Sequence, residues 1–383
     1  MKVCVTGYGL IDALGVAPEE CYNNYMSTRD FIAPIENHSI YNKGYLADET
    51  RCILPKNTKL LTLTRNCKLA LHATDQALKM AGVTKTENVG VFFSHGPEHD
   101  VLYPFYADRI IPPRKLVNGL PGAVSALISQ TYNFQGAAFG VNAACATGSL
   151  TLDWAMQHLS EFDFAVVGAV ESDLNWGVKL FGQIGALSPT NVSRPFDKNR
   201  DGMVLGEGAG CLIIEEESKA LARGAKIYAT LYPVGFANDT SSITSPDKTG
   251  RGMIASMQKA LNYANIDVSM IDAVNAHATA TQIGDVIEYE AMKTIGIKAP
   301  IYALKSKFGH LINAASTLEL IYTIMFGVKG HTGYTFNLKD PISEDVNLIT
   351  ERKVFNQKTS YTLNNSFGFG GRCSSQIIEV SSI

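Results

Sequence analysis

Cys145 has the surroundings of a nucleophilic cysteine. It lies in the segment 141–149, Val-Asn-Ala-Ala-Cys-Ala-Thr-Gly-Ser, where an apolar strand ends and a helix is predicted to begin. Small neighbours would let a substrate carbonyl approach the sulfur, and a helix N-terminus lowers the pKa of a thiol. The backbone N–H of Cys145 could also donate a hydrogen bond to an oxyanion. These features predict a thiolate that attacks a carbonyl carbon, although a lone cysteine is more often a buried structural residue.

Three later segments place polar groups at the ends of predicted strands. His277 lies in a loop of small and hydroxyl-bearing residues at 275–285, and Lys305 and His310 share the segment Lys-Ser-Lys-Phe-Gly-His. The segment 365–371, Asn-Ser-Phe-Gly-Phe-Gly-Gly, contains glycines whose backbone freedom can direct N–H groups inward. Open α/β sheets assemble their sites at strand ends. Four such segments therefore predict one active site that includes Cys145.

The elements that must position these groups alternate along the whole chain. Short apolar strands and longer helical segments follow one another, which favours an α/β fold. A similar order restarts after about residue 225, so we predict two related halves, 1–225 with the cysteine and 226–383 with the histidines, folded as one unit. The predicted strands are 2–6, 89–94, 137–142, 164–170, 210–215, 227–234, 273–276, 301–303 and, as the last strand, 361–364; the predicted helices are 64–80, one following Cys145, 251–264, 285–295 and 313–326.

Composition excludes several classes of function. The chain has 383 residues, 46% of them hydrophobic, and a formal net charge of −3. Near-neutral charge gives no electrostatic reason to expect nucleic-acid binding, and no apolar run reaches the roughly 20 residues that span a bilayer. We expect a globular protein of the cytoplasm. The seven cysteines are scattered without a Cys-x-x-Cys pair, so neither a disulfide framework nor a metal site is predicted.

Two other motifs are similar to those of dinucleotide-binding and zinc sites, but their residues support neither kind of site. Residues 7–12 follow a strand like a dinucleotide fingerprint, but the third glycine is missing and Asp12 would repel a pyrophosphate. A structural turn is predicted there. His95 and His99 are spaced like helical zinc ligands, but a glycine and a proline between them disfavour a helix. We interpret them as two ordinary histidines of a loop.

Taken together, the motifs resemble those of β-ketoacyl-acyl-carrier-protein synthases of the elongating type, in the thiolase superfamily. Cys145 matches the nucleophile of Ala-Cys-Ala-Thr-Gly, and His277 matches His-x-Thr-x-Thr-x-x-Gly-Asp. Lys305 and His310 match Lys-Ser-x-x-Gly-His, and the glycine-rich loop and the segment 194–210 are also typical of the family. The resemblance covers essentially the whole chain. It implies two related βαβ halves in a five-layered α/β/α/β/α core, usually assembled as a dimer.

The resemblance also implies a decarboxylative condensation and a role for each catalytic residue. Cys145 would take an acyl group from acyl carrier protein as a thioester. His277 and His310 would stabilise the enolate that forms when malonyl-acyl-carrier protein loses carbon dioxide, which attacks the acyl carbon to give a 3-oxoacyl product. Lys305 and Glu288 resemble the pair that orders the histidines and their water.

The remaining implied contacts concern the oxyanion and the substrate arm. The N–H groups of Cys145 and Phe369 match an oxyanion hole, with Phe369 as the gate to the nucleophile. No cofactor is expected beyond the phosphopantetheine arm, which belongs to the acyl carrier protein. That carrier and a second or related subunit are the expected partners. The substrate-binding residues implied by the resemblance are Ser245, Thr279, Thr281, Phe367, Gly368 and Gly370.

The sequence departs from the family pattern beside the catalytic positions, while the catalytic groups themselves are kept. The chain is also short between about residues 96 and 118. These departures leave open whether the enzyme serves fatty acid synthesis or a related polyketide or polyene pathway. The departures are Ala278 for Gly, Ala280 for Ser, Gln282 for Pro, Asn313 for Gly and Arg372-Cys373 for Thr-Asn.

Three alternatives remain beside a housekeeping synthase. The first is a specialised ketosynthase paired with a chain-length-factor-like partner. A non-catalytic subunit of that kind usually lacks the nucleophile, so the presence of Cys145 with both histidines disfavours it. A thiolase acting on coenzyme A would use a second cysteine near the C-terminus. Cys373 lies in that region, but the Lys-Ser-x-x-Gly-His segment is the synthase arrangement.

Overall fold

A computed structural model shows an α/β protein organised around a large mixed sheet. The structure describes residues 1–35, 38–56, 58, 63–83, 86–107 and 110–382. The strands are β1 Val3–Asp12, β2 Ala33–Pro34, β3 Lys43–Gly44, β4 Val89–His95, β5 Ala138–Phe139, β6 Phe164–Glu171, β7 Gly208–Glu216, β8 Ala229–Leu231, β9 Gly235–Asn238, β10 Ala273–Asn275, β11 Ile301–Tyr302, β12 Thr359–Gly368 and β13 Arg372–Ser381.

The helices fall between the strands in the predicted alternation. Thr64 caps the second helix, because its side chain accepts a hydrogen bond from the N–H of Cys67. No helix within the described residues is both long and apolar enough to cross a membrane. The helices are α1 Pro18–Met26, α2 Arg65–Ala81, α3 His99–Tyr106, α4 Pro113–Asn118, α5 Ala123–Tyr132, α6 Thr147–His158, α7 Leu174–Gln183, α8 Glu217–Ala222, α9 Arg251–Ala264, α10 Gly284–Thr294, α11 Lys305–Phe308 and α12 Ala315–Val328.

The sheet consists of two halves with the same pattern of strand pairing. In the first half the order is β5-β4-β6-β7-β1, and in the second it is β11-β10-β12-β13-β8. Each half has two parallel pairings followed by two antiparallel ones, and β1 pairs with β8 to join them. This repetition confirms two related halves. The predicted boundary at residue 225 lies between α8 and β8.

Helices cover both halves of the sheet and fill the space between them. Helices α2 and α5 pack on the outer face of the first half, and α9 and α10 pack on the outer face of the second. Between the halves lie α6 and α12, whose apolar residues form the central core with the inner faces of the strands. The order helix, sheet, helix, sheet, helix confirms the five layers. It places the start of α6 close to the second half of the chain.

The turn predicted at residues 7–12 is wrong, because β1 continues through this segment. A Cβ on Gly9 would lie 2.2 Å from the carbonyl oxygen of Ala73 in α2. The glycines therefore allow a helix to approach the strand closely, which is a packing requirement and not a turn. From the sequence alone a glycine after a strand predicts a turn, because the helix that packs against it is not visible there.

The strand predicted at 361–364 is not the last one, and the glycine-rich segment 365–371 is not a loop throughout. Strand β12 runs to Gly368 and β13 returns antiparallel to it. The sequence does not reveal β13 as a strand because its buried face carries polar side chains. Those side chains find partners within the sheet: Ser374 Oγ donates to the carbonyl of Ser366, and Ser375 Oγ donates to Asn365 Oδ1. The strand predicted at 227–234 is shorter in the structure, where β8 covers only Ala229–Leu231.

Candidate active site

The predicted site segments converge because parallel strands carry them to one edge of the sheet. His277 follows β10, Lys305 follows β11, and Phe369 lies at the turn between β12 and β13. Cys145 comes from the other half, two residues before α6 begins. The central placement of α6 brings the cysteine to the strand ends of the second half. The sequence places these groups at strand ends, and the tertiary structure brings them together.

The sulfur of Cys145 lies in contact with an imidazole. Nε2 of His310 is 3.0 Å from Cys145 Sγ. The rings of His277 and His310 are 5.5 Å apart and nearly perpendicular, at 84°. One ligand-type atom from each of the three residues falls within 4.8 Å of the other two. Such spacing can surround one carbonyl group, and it would also permit a metal ion.

The thiol of Cys145 is not a resting thiolate, contrary to the expectation from the helix N-terminus. Burial raises the pKa of this thiol to about 11, although the Lys305 charge and the N–H groups of Phe369 and Cys145 act in the opposite direction. Desolvation of the anion outweighs these partners because Cys145 is only 6% exposed. Nucleophilic attack therefore needs a base within reach of the thiol proton.

Both histidines are neutral and can exchange protons. Burial, followed by the Lys305 charge, holds the pKa of His277 and His310 well below the ordinary range. The Nδ1 atoms of both rings are buried without a hydrogen-bond partner among the described residues. A neutral imidazole has one N–H donor and one acceptor nitrogen. When the hydrogen of His310 is on Nδ1, its Nε2 can accept the proton of the cysteine.

Lys305 and Glu288 both hold the His277 segment, and Lys305 forms its ion pair with Glu319. Its Nζ donates to Glu319 Oε1 and, at 2.6 Å, to the carbonyl oxygen of His277. Glu288 instead accepts the backbone N–H groups of His277 and Ala278, at 2.8 and 2.7 Å. The two carboxylates thus hold the histidine loop through different atoms. Glu288 fixes the backbone directly, and Glu319 fixes it through Lys305.

Sequence reasoning missed Glu319. It is fully buried in α12, whose other residues are mostly apolar. A single charge inside an apolar helix was the available signal, since a buried carboxylate requires a partner. It lies 14 positions after its partner Lys305, so no local motif connects the two.

The β12–β13 hairpin closes over Cys145. Phe369 directs its backbone N–H at the sulfur of Cys145, and Ser366 Oγ donates to the Cys145 carbonyl at 2.9 Å. A Cβ on Gly368 would lie 3.0 Å from both Ala143 O and Cys145 N, so glycine permits this approach. The ring of Phe369 contacts the ring of Phe181, with centroids 5.6 Å apart. The arrangement provides two N–H donors beside the sulfur.

A cavity of about 460 Å³ leads from the surface to the sulfur and both imidazoles. Of the predicted substrate-binding residues, Gly370 is not part of its wall, and its N–H donates instead to the carbonyl of Ile243 at 2.7 Å. Cys373 also lines the cavity, but burial raises the pKa of its thiol to about 12, and the group in contact with Cys145 is His310. The predicted residues in the wall are Ser245, Thr279, Thr281, Phe367, Gly368 and Phe369.

His95 and His99 have separate partners away from this cavity. His95 Nδ1 lies 2.6 Å from the carbonyl oxygen of Gly96. His99 Nδ1 pairs with Asp173 at 2.9 Å, and its ring stacks on Trp176 at 4.5 Å. The prediction that both histidines belong to a loop is wrong, since β4 ends at His95 and α3 begins at His99, and only residues 96–98 lie between them. The expectation that no helix joins the two is confirmed.

Comparison with known families gives matches to both halves of the chain. The family described as beta-ketoacyl synthase, N-terminal domain, matches residues 1–220, and the corresponding C-terminal domain matches residues 228–338. The 3-oxoacyl-[acyl-carrier-protein] synthase 2 of Vibrio harveyi is 32% identical, over 97% of this chain and 96% of the relative.

Solved structures give the same result for the fold. A beta-ketoacyl synthase from Burkholderia phymatum superposes with a TM-score of 0.90 and 27% identity, covering 100% of both chains. The ishigamide ketosynthase/chain length factor has a TM-score of 0.89 and 26% identity, covering 100% of this chain and 99% of the other. The two-halved arrangement is therefore the thiolase-like fold.

Proposed function

Because this chain belongs to the β-ketoacyl synthase family, we propose that its cavity is the active site of a condensing enzyme and that Cys145 is the nucleophile. The reaction is the condensation of malonyl-acyl-carrier protein with an acyl thioester to give a 3-oxoacyl-acyl-carrier protein. The observation that supports the assignment is the 3.0 Å contact between Cys145 Sγ and His310 Nε2, with the N–H of Phe369 directed at the same sulfur.

Acyl transfer comes first. The proton of the Cys145 thiol passes to His310 Nε2, and the sulfur bonds to the carbonyl carbon of the acyl donor. The N–H groups of Cys145 and Phe369 stabilise the oxyanion that develops at that carbon. The bond between that carbon and the donor's sulfur then breaks, the donor leaves as a thiol with the proton held by His310, and the acyl group remains on Cys145. Because the resting thiol is neutral, His310 has a role as a base in this step.

Condensation follows at the same place. The bond between the malonyl carboxylate and its α-carbon breaks, carbon dioxide leaves, and the electron pair forms an enolate. N–H groups of His277 and His310 stabilise the enolate oxygen, and the α-carbon attacks the thioester of Cys145. The sulfur of Cys145 leaves as a thiolate and takes up a proton from solvent, which restores the neutral thiol. Lys305 holds the His277 carbonyl throughout, so the imidazole keeps its place while charge moves.

The proposed partners are an acyl carrier protein and a second subunit. The hydroxyl groups of Ser245, Thr279 and Thr281 line the cavity, where they could hydrogen-bond a phosphopantetheine arm. Thr279 Oγ1 and Thr281 Oγ1 lie 3.2 Å apart, so they present one polar surface. The arm comes from the carrier, and no resident cofactor or metal is proposed. Among the described strands, β5 lies at one end of the sheet. We propose that a second copy or a related subunit pairs along its outer edge.

The proposal is tested by incubating the protein with an acyl-acyl-carrier protein and mapping the acylated peptide. Cys145 is expected to be the acylated cysteine, and Cys145→Ala is expected to abolish condensation. A label on Cys211 or Cys373 instead would refute the assignment. Cys211→Ala serves as the matched control, since Cys211 is also buried but lies in β7 and does not line the cavity.

A specialised synthase paired with a chain-length-factor-like subunit is the second candidate. The similarity to the ishigamide ketosynthase/chain length factor favours it, together with the departures at Ala278, Asn313 and Arg372. The mass of the purified complex and turnover across saturated and conjugated acyl-carrier substrates separate the two. Efficient use of saturated medium and long chains by a homodimer would exclude this candidate.

A further inference from the structure

The residue before the nucleophile has an unfavourable backbone conformation. Ala144 has a φ of 49°, in the left-handed region that residues with a Cβ rarely adopt. This conformation determines where Cys145 points its N–H and its sulfur, because the two residues are adjacent. Thr147, the first residue of the following helix, donates its backbone N–H and its Oγ1 to the carbonyl oxygen of Ala144, at 3.1 and 2.6 Å. These bonds hold the carbonyl side of the residue but not its N–H group. Other contacts must hold it.

One such contact comes from the side chain of Asn142. Its Oδ1 accepts the backbone N–H of Ala144 at 3.1 Å. Its Nδ2 donates to Asn313 Oδ1 at 3.2 Å. The first bond fixes the peptide of Ala144, and the second fixes the side chain that makes it. Asn142 is exposed at the protein surface, so without Asn313 water would compete for its side chain.

The side chain of Asn313 is in turn held by Glu171. Its Nδ2 donates to Glu171 Oε2 at 2.7 Å, and Glu171 lies at the end of β6. Glu171 also accepts the backbone N–H groups of Asn313 and Asp173. Both Glu171 and Asn313 are buried, at 5% and 6% exposure. Glu171, Asn313 and Asn142 therefore form a chain of hydrogen bonds, which we call the Glu171 relay, from a rigid strand to the backbone of Ala144.

We infer that Asn313 is a positioning residue, which acts through the Glu171 relay to hold Ala144 in the left-handed conformation and so to orient Cys145. The inference rests on the proposed role of Cys145 as the nucleophile. It assigns a purpose to a departure that no catalytic step requires, since the family pattern has glycine at this position. The relay links the segment that carries His310 to the loop that carries the cysteine, so both halves of the site depend on it.

The test measures the rate at which iodoacetamide alkylates Cys145 and the rate of acyl transfer from an acyl-acyl-carrier protein. Asn313→Ala is expected to slow both by about 5- to 30-fold. This is the factor by which an alanine populates the left-handed conformation less when no contact holds it there. The double variant Asn313→Ala with Ala144→Gly is expected to recover most of this loss, because glycine adopts the conformation without help.

Asn66→Ala is the matched control, since Asn66 is a buried asparagine that accepts a hydrogen bond from Ser172 and has no hydrogen bond to the cysteine loop among the described contacts. It is expected to lower the thermal midpoint as much as Asn313→Ala while leaving both rates unchanged. Unchanged rates in Asn313→Ala, or a loss that Ala144→Gly does not restore, would overturn the relay. If wild-type Cys145 alkylates but takes no acyl group, the proposed function fails, and the relay is still judged by alkylation alone.

Discussion

Two buried glutamates, one in each half of the molecule, are stabilised in opposite ways. Burial raises the pKa of both Glu171 and Glu319 to about 7. Glu319 lies against the ammonium group of Lys305, which lowers its pKa. Glu171 has no such cation among its described contacts and accepts N–H groups of Asn313 and Asp173. One carboxylate is compensated by a charge and the other by dipoles.

The difference suggests how each half tolerates change. A buried ion pair is expensive to break, because the partner that remains is a charge without compensation. A carboxylate held by dipoles can take up a proton and keep part of its hydrogen bonding. We therefore expect the second half to fail sharply when Lys305 is altered. Because burial raises the pKa of both carboxyl groups to about 7, stability should depend on pH in both halves, and Glu171 gives the contribution of a carboxyl group without a cation among its described contacts.

The largest expected effect is that of Lys305→Met. It leaves Glu319 buried without its cation and frees the carbonyl of His277, so we expect a loss of about 3–5 kcal/mol in the free energy of unfolding and no detectable condensation. Denaturant unfolding and a condensation assay measure the two. Adding Glu319→Gln should restore much of the stability but not the activity.

The matched control for that change is an exposed ion pair. Lys198 and Asp340 also form a lysine–carboxylate pair, with side chains 58% and 53% exposed. Lys198→Met should leave the free energy of unfolding nearly unchanged, since exposed pairs contribute little. Equal losses for the two lysine variants would show that burial does not distinguish them.

Alanine substitutions of the two histidines should differ in their effect on acyl transfer. Both His277→Ala and His310→Ala are expected to slow malonyl decarboxylation by about 10²–10³-fold, the usual cost of losing an oxyanion donor. Only His310 contacts the thiol, so His310→Ala should also slow acyl transfer, whereas His277→Ala should retain most of it. Separate assays of carbon dioxide release and of Cys145 acylation distinguish these outcomes. Normal decarboxylation by both variants would contradict the proposed roles.

The smallest effect concerns the dependence of stability on pH. An unfolded glutamate has a pKa of about 4.3, whereas folding raises the pKa of Glu171 to about 7. Between these values the folded chain keeps a proton that the unfolded chain has lost, so the stability contributed by this group falls as pH rises. Glu171→Gln should remove a slope of up to about 1.4 kcal/mol per pH unit. The measurement is unfolding by denaturant between pH 5 and 7.

Glu351→Gln is the control for that measurement, because the side chain of Glu351 is 77% exposed. It should leave the slope of stability against pH unchanged. If Glu171→Gln also leaves the slope unchanged, Glu171 ionises in the folded protein as it does in the unfolded chain. The contrast between the two halves would then be wrong.

Local patterns predicted the helices of this protein better than its strands. The helix at 251–264 has the predicted bounds, since its periodic apolar face identifies it directly. Strand β13 was missed because its buried polar residues bond within the sheet, and β1 was cut short because Gly9 was assigned to a turn. In both cases the deciding neighbour is remote in sequence.

The sequence by itself determined the α/β class, the two related halves, the family, and the residues that meet in the cavity. Those properties depend on local order and on motifs whose spacing is written along the chain. Only the tertiary structure decided that the thiol of Cys145 is neutral at rest, that Lys305 pairs with Glu319, and that Asn313 contacts the cysteine loop. Each of these depends on burial or on contacts between distant segments. A local pattern can show that a charge such as Glu319 is buried, but it cannot identify the partner.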